Sequence, residues 1–498
     1  MCSSDLRSVE AIVLHIDGLD WGWARVQEMS AALRAFRASG KKVYACIDGA
    51  GEKEYALAAC AERISMPQVS TLQLDGLSAT AMFMAGGFGK IGVRPNFAHV
   101  GRYKSAVESY TRDSLSAPAR EAMEALLDDE YALLLDSLAV ARHLPRDSIM
   151  HMIDNGPYTG RDALARGLVD TLLAQADMDS LAAHAGPTRR STGSFLRYAE
   201  EGSSESGEHI AVLVAEGEIV DGKSRDGGFG GRAVGDETLI EALREIRTRK
   251  SIKAVVLRID SPGGSGNASE AVWQELRRTR REKPVIVSMG DLAASGGYYL
   301  ACAGDVIVAD PGTITGSIGV FGGKFNLAGL YNKLGINIQS ITRGRHADMM
   351  SSYTDFTPEE ETLFQHGLDQ FYEVFLSRVS EGRGLTTAQV DSLAQGRVWS
   401  GLAAKQRGLV DEFGGLNEAI DIAREKAHLD ADEDLIIDVY PRPKRTLVQS
   451  VVSQLSKDEE GDSDTRLPGL SELLGWYRTM TIARHGAQAL LPYTIRIE

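Results

Sequence analysis

Cysteine is scarce in this chain: four in 498 residues, at Cys2, Cys46, Cys60 and Cys302. That is too few for a disulfide-built scaffold, and no CxxC or Cys/His cluster offers a zinc site. Cys46, Cys60 and Cys302 lie in apolar runs and read as buried thiols. An excess of positive charge is also lacking. The net charge is −15, which argues against a nucleic acid as partner. No apolar run approaches the roughly 18 residues of a membrane span. No secretory leader opens the chain. The last absence concerns histidine. The stretch SMGDLAASGGYYLA, 288–301, reads as a strand turning into a helix at Ser295, which is how a chain presents a nucleophile. The nearest histidines in sequence, His209 and His346, are far away.

What is present is ordinary globular composition, 43% hydrophobic and 25% charged, and a length that suits two or three domains. It is also repetitive. YTGRDALARGLVDTL (158–172) is matched by WSGLAAKQRGLVDEF (399–413). GGFGKIGVRPNFAHVGRYKS (86–105) is matched 243 positions on by GLYNKLGINIQSITRGRHAD, and EAIVLHIDGLDW (10–21) by KAVVLRIDSPGG at the same interval. So steady a spacing indicates tandem duplication of one domain.

Each copy alternates short Val/Ile-rich runs with helical patterns. In the second copy the predicted strands are 210–217, 252–260, 284–289 and 305–310, and a long helix is predicted from Pro358 to Arg383. Near-continuous apolar runs between helices imply a buried, mostly parallel sheet, so the class is α/β twice over. The second copy opens with a strand about 44 residues ahead of KAVVLRID, whereas the first has nine residues there. The expectation is that the natural protein extends upstream, with any anchor in that segment. The expected domains are 1–190, 208–440 and a tail, 441–498. The segment 186–208 reads as a linker, and the acidic run 458–464 as a solvated loop.

Four features carry potential chemistry. Ser295 has Ala293 and Ala294 before it and Gly296 and Gly297 after it, which lets a substrate backbone come close. Alone it reads first as a cap of that helix. RIDSPGGSGNASE, 258–270, ends a buried strand in a turn that can aim a backbone N–H into a cleft. Alone it is an ordinary glycine turn. ADPGTITGSIGVFG, 309–322, sets Ser317 between Gly316 and Gly319. Lys104, in VGRYKSAVESYTRDSLS, would by itself be a surface lysine. The repeat changes that reading. Lys104 falls at Ala347 in the second copy, Ser295 falls at about Lys53 in the first, and Gly263 and Gly264 fall at Asp20 and Trp21. One copy kept the serine and glycines, the other the lysine. A GxGxxG at Gly87, Gly89 and Gly92 lies at a predicted helix end, where a dinucleotide motif would have to open one.

From about Glu10 to about Val439 the chain resembles the long, tandem form of the signal peptide peptidase A (protease IV) family. The resemblance rests on GRYKSAVE, SPGGS with NASE, MGDLAASGGYY, TGSIGVFG and GRVWSGLAAKQRGLVDEFGGLNEAI. It implies two Clp-protease/crotonase-like domains and a serine endopeptidase with a Ser-Lys dyad. Ser295 would be the nucleophile and Lys104 the base. Ser317 and Gly319 would position the lysine, and Gly264, with Gly263 adjacent, and Gly296 would supply the oxyanion hole. The implied substrates are remnant signal peptides and other unfolded segments, with no metal or other cofactor. The implied setting is a homotetramer anchored in the bacterial inner membrane and facing the periplasm. Two other readings compete. A crotonase-type acyl-CoA enzyme would use the glycines but not Lys104. A non-catalytic membrane-associated ring scaffold predicts decayed motifs, and here they are intact.

Overall fold

The computed structural model describes residues 9, 11–183, 207–225, 231–430, 435–442 and 488–490. Cys2, nearly all of the linker segment and most of the tail, acidic run included, fall outside the described residues.

The second copy is built on one mostly parallel sheet. Its strand order is Val398–Ser400, Ile314–Gly316, Val285–Ala294, Ile252–Ser261, Glu208–Glu216 and Leu435–Tyr440, with Val306–Ala309 also pairing with Val285–Ala294. The apolar runs are continuous because both faces are covered. Val255, Leu257 and Ile259 join a core shared with helices Asp236–Thr248 and Gly266–Arg280. Ala254 and Val256 alternate to the other face, against Ala419 and Ala423 of helix Leu416–Lys426. The first copy is smaller. Its strands Ala11–Ile16, Lys42–Ile47 and Arg63–Ser65 run parallel under helices Trp23–Ala38, Glu52–Ala58 and Ala117–Arg142.

A second sheet crosses between the copies. Strand Arg94–Val100 of the first copy pairs antiparallel with Val320–Asn326 of the second, Val100 opposite Val320 and Arg94 opposite Asn326. Phe97 packs edge-on against Phe325, ring centroids 5.0 Å apart, and Phe88 and Tyr110 close the cluster. Gln488–Leu490 enters the same sheet, antiparallel to Gly263–Ser265 and opposite Phe321.

The predicted helix occupies Pro358–Arg383, opened by a Thr357/Glu360 capping box. Gly92, at φ +81°, terminates helix Ala85–Ile91, so GxGxxG closes a helix rather than opening one. Cys46, Cys60 and Cys302 are buried free thiols. One boundary differs clearly from expectation. The strand expected at 284–289 runs on to Ala294. Gly290, Asp291 and Leu292 form a bulge against Ile252–Ser261, and pairing with that strand resumes with Ala293 opposite Ser261. On the other side Leu292, Ala293 and Ala294 pair with Ile314, Thr315 and Gly316. Small residues hide that continuation, because alanine and glycine carry little strand preference.

Candidate active site

The strand Val285–Ala294 ends at Ser295, whose backbone lies at φ 54°, ψ −112°. That region is sparsely populated by residues with a side chain, and holding one there costs about 1–3 kcal/mol. The surroundings enforce it. Ser295 N–H donates to Gly316 O at 2.8 Å, and its carbonyl accepts Tyr299 N–H at 2.8 Å. Helix Gly296–Ala301 begins at once, packed so tightly on the neighbouring strand that a side chain at Gly297 would sit 2.9 Å from Ser261 O. The Ser295 hydroxyl does not cap this helix. It points to the other copy.

There Lys104 waits. It follows strand Arg94–Val100 by one short turn, closed by Lys104 N–H donating to Gly101 O at 3.1 Å. Its Nζ lies 2.8 Å from Ser295 Oγ, 3.0 Å from Ser317 Oγ and 3.1 Å from Ser317 O. Lysine is 1% exposed and both serines 0%. Burial alone, with no carboxylate in attendance, holds the amine well below its ordinary pKa.

Ser317 is held like Ser295, at φ 51°, its N–H donating to Arg397 O at 2.7 Å. It touches the lysine directly; Gly319 acts at one remove. A Cβ at Gly319 would lie 2.9 Å from Gly396 Cα, and a Cβ at Gly396 would lie 2.5 Å from Lys104 N. The segment 395–397 therefore forms the floor under the lysine turn. Gln395 O accepts Tyr103 N–H at 2.6 Å, and Gly396, at φ +75°, lets the two chains touch. Sequence reading missed Gln395 and Gly396. The only trace of them is the glycine that opens GRVWSGLAAKQRGLVDEFGGLNEAI, read there as part of the family resemblance.

Gly264 and Gly296 are both buried. Gly264 stands on strand Gly263–Ser265, which packs against helix Gly296–Ala301. A Cβ there would strike Ile219 O at 1.9 Å. Gly263, at φ +96°, makes the turn, and its N–H donates to Ser261 Oγ at 3.1 Å. Among the described residues no group of acidic, histidine or cysteine side chains could hold a metal ion.

The arrangement pairs a strained, buried serine with a desolvated amine that can accept its proton. Comparison with known proteins places the chain among peptidases. The model of a family described as peptidase family S49 matches residues 35–185 and 277–430. The chain is 34% identical over 452 residues to a chloroplastic serine protease SPPA of Arabidopsis thaliana, covering 88% of this chain and 66% of that one. It is 33% identical to protease 4 of Salmonella typhi, covering 88% of this chain and 73% of the relative. A putative signal peptide peptidase SppA of Enterococcus faecium matches 47% of this chain at 34% identity.

Proposed function

The chain belongs to peptidase family S49, and from that premise we propose that it is a serine endopeptidase with Ser295 as nucleophile and Lys104 as general base. The observation that carries the reading is the 2.8 Å approach of Lys104 Nζ to Ser295 Oγ. A lysine at its ordinary pKa of about 10.4 is protonated and cannot take a proton. Burial without a counter-charge lowers its pKa and favours the free amine, whose lone pair accepts the hydroxyl proton as Ser295 attacks a peptide carbonyl.

The C–O bond forms, and the carbonyl electrons move onto oxygen. N–H groups of Gly264 and Gly296 receive that oxyanion. As the intermediate collapses, Lys104 returns the proton to the departing amine, leaving an acyl-enzyme. Water repeats the sequence, its proton going to Lys104 and then back to Ser295. Ser317 fixes the amine through its hydroxyl and carbonyl, so the lone pair faces Ser295.

The substrates that fit are extended peptides, among them signal peptides left after processing and other unfolded segments. Support for extended binding is that Gln488–Leu490 already pairs as a strand beside Gly263–Ser265. We place the protein as a homotetramer at the bacterial inner membrane, facing the periplasm. The support is the motif resemblance; among the described residues no helix is long and apolar enough to cross a membrane. Sedimentation and membrane fractionation of the natural protein test that setting. The chemistry is tested by peptide hydrolysis: Ser295→Ala and Lys104→Ala variants that stay folded are expected to be inactive, and turnover in either refutes the dyad.

A further inference from the structure

The bulge in the serine strand has a cause outside its own domain. Strands Ile252–Ser261 and Val285–Ala294 run in step up to Ile259 opposite Met289, and resume with Ser261 opposite Ala293. Asp260 alone therefore faces Gly290, Asp291 and Leu292. The extra residues are held by specific groups. Asp260 Oδ1 accepts Leu292 N–H at 3.1 Å, and Thr313 Oγ1 donates to Gly290 O at 2.9 Å. Asp291 turns the other way, into the first copy. Its carboxylate accepts Gly22 N–H at 2.9 Å and Arg25 N–H at 2.8 Å, at the start of helix Trp23–Ala38.

Arg25 closes the arrangement. Its guanidinium bonds Asp260 through Nη2 and lies 3.2 Å from Asp291 through Nε, with Glu216 at 3.8 Å. Two glycines make room. A Cβ at Gly22 would fall 2.5 Å from Asp291 Cγ, and one at Gly290 would fall 3.2 Å from the Asp260 carboxyl. Both carboxylates are less than a fifth exposed, so this is a desolvated clamp rather than a surface pair. Burial pushes Asp260 up to about 6 against the pull of Arg25.

Bulges beside active sites re-aim the side chains that follow. Ser295 follows this one by three residues, and Ser261, beside Asp260, holds the Gly263 turn. We propose that Arg25 is a positioning residue: by tying Asp260 and Asp291 across the bulge, it sets where the second copy aims Ser295 and couples that aim to docking of the first copy. The inference rests on Ser295 and Lys104 acting as the dyad. It gives the first copy a second contribution, separate from the base.

The test uses the full chain with Arg25→Ala, Arg25→Lys and Gly22→Ala. Readouts are kcat and KM on a chromogenic peptide, the acid limb of kcat/KM, and fluorophosphonate labelling of Ser295 read by mass spectrometry. For Arg25→Ala the expected result is a fall in kcat of about 10- to 100-fold with KM changed less than about threefold, since a 1 Å misplacement costs that much. A displaced Ser295 Oγ no longer meets the free amine of Lys104, which favours the protonated form, so the acid limb moves to higher pH. Arg25→Lys, which reaches one carboxylate, falls between. A merely structural ion pair would lower thermal stability and leave kcat and the limb in place; that result overturns the proposal. If Arg25→Ala fails to fold, Gly22→Ala displaces Asp291 without removing a charge and must show the same kcat loss; wild-type kcat there overturns it. Wild-type label at a serine other than Ser295 overturns the dyad itself, and this inference with it. Label at Ser295 with an unchanged rate in Arg25→Ala overturns this inference alone.

Discussion

The two copies begin from the same plan and differ most where they meet. In the second, a strand runs into Ser295 and a glycine-led helix. In the first, strand Lys42–Ile47 runs into helix Glu52–Ala58, and the matching corner carries Lys53. Glu52 beside it spends its carboxylate on the N–H groups of Asp75 and Gly76, each at 2.8 Å. The arms differ in the opposite sense. Residues 94–104 of the first copy form a strand and bury Lys104 in the neighbour. Their counterparts, 337–347, form no strand, leave Ile338 and Ile341 exposed, and end at an exposed Ala347. One corner is productive and one arm is docked. The proposed dyad needs both, and each copy holds the half that the other lacks.

The sharpest way to break this division of labour is to remove either half. Ser295→Ala and Lys104→Met should each lower peptide hydrolysis by about 10⁴-fold or more, as loss of one member of a coupled catalytic unit does elsewhere. Circular dichroism should show both folded. Activity recovered on mixing the two variants would mean that the dyad forms between chains and not within one.

Next comes a residue that touches neither substrate nor serine. Gly396→Ala places a Cβ 2.5 Å from Lys104 N at φ +75°, so the lysine turn must move. We expect kcat to fall about 100-fold, with less effect on KM. An unaltered kcat would show that the floor under Lys104 does not position it.

The pH profile sharpens the contrast between Lys104 and an ordinary lysine. In the proposed mechanism the free base is the working form, so activity is expected to fall about tenfold per pH unit below the lowered pKa of Lys104. The stability sign follows. Between that pKa and the unfolded value of 10.5 the unfolded chain binds the extra proton, so this residue makes stability rise with pH across that window. Measured rates with no acid limb above the carboxylate range would contradict a neutral lysine base.

The smallest effect concerns the interface itself. Burial and the nearby Glu28 of the first copy push Asp310 up to about 7, and its Oδ2 has no hydrogen-bond partner. Its contribution is intact below the unfolded value of 3.8 and is lost as pH rises through about 7. Asp310→Asn should therefore stabilise the fold by about 1–2 kcal/mol at pH 8 and by less at pH 5. Chemical denaturation at the two pH values measures the difference; an equal effect at both would remove the cross-copy repulsion from the account.

Much of this was legible in the sequence, for reasons that can be stated. The Val/Ile runs around 255 and 286 gave the parallel sheet because both of its faces are buried. Pro358 marked the start of the long helix, and the Thr357/Glu360 capping box explains why it begins there. The complementary losses in the repeat directed attention to Lys104, 191 positions from its partner. What stayed hidden was long-range. Nothing near Arg25 signals that it lies against Asp260 and Asp291. Nothing near Gly396 signals that Lys104 rests on it. Ala293 and Ala294 look unlike strand because their place in the ladder is decided by Thr315 and Gly316. Such contacts are set by packing between segments and leave no local pattern to read.

The central claim is that a neutral Lys104 from one copy activates Ser295 of the other. Its most direct test is the rate of fluorophosphonate labelling against pH, in the wild type and in Lys104→Met, with the modified residue identified by mass spectrometry. The account predicts label on Ser295, a rate that rises with pH as Lys104 loses its proton, and near-zero labelling in Lys104→Met. Label on another residue, or equal rates in the two proteins, would contradict it.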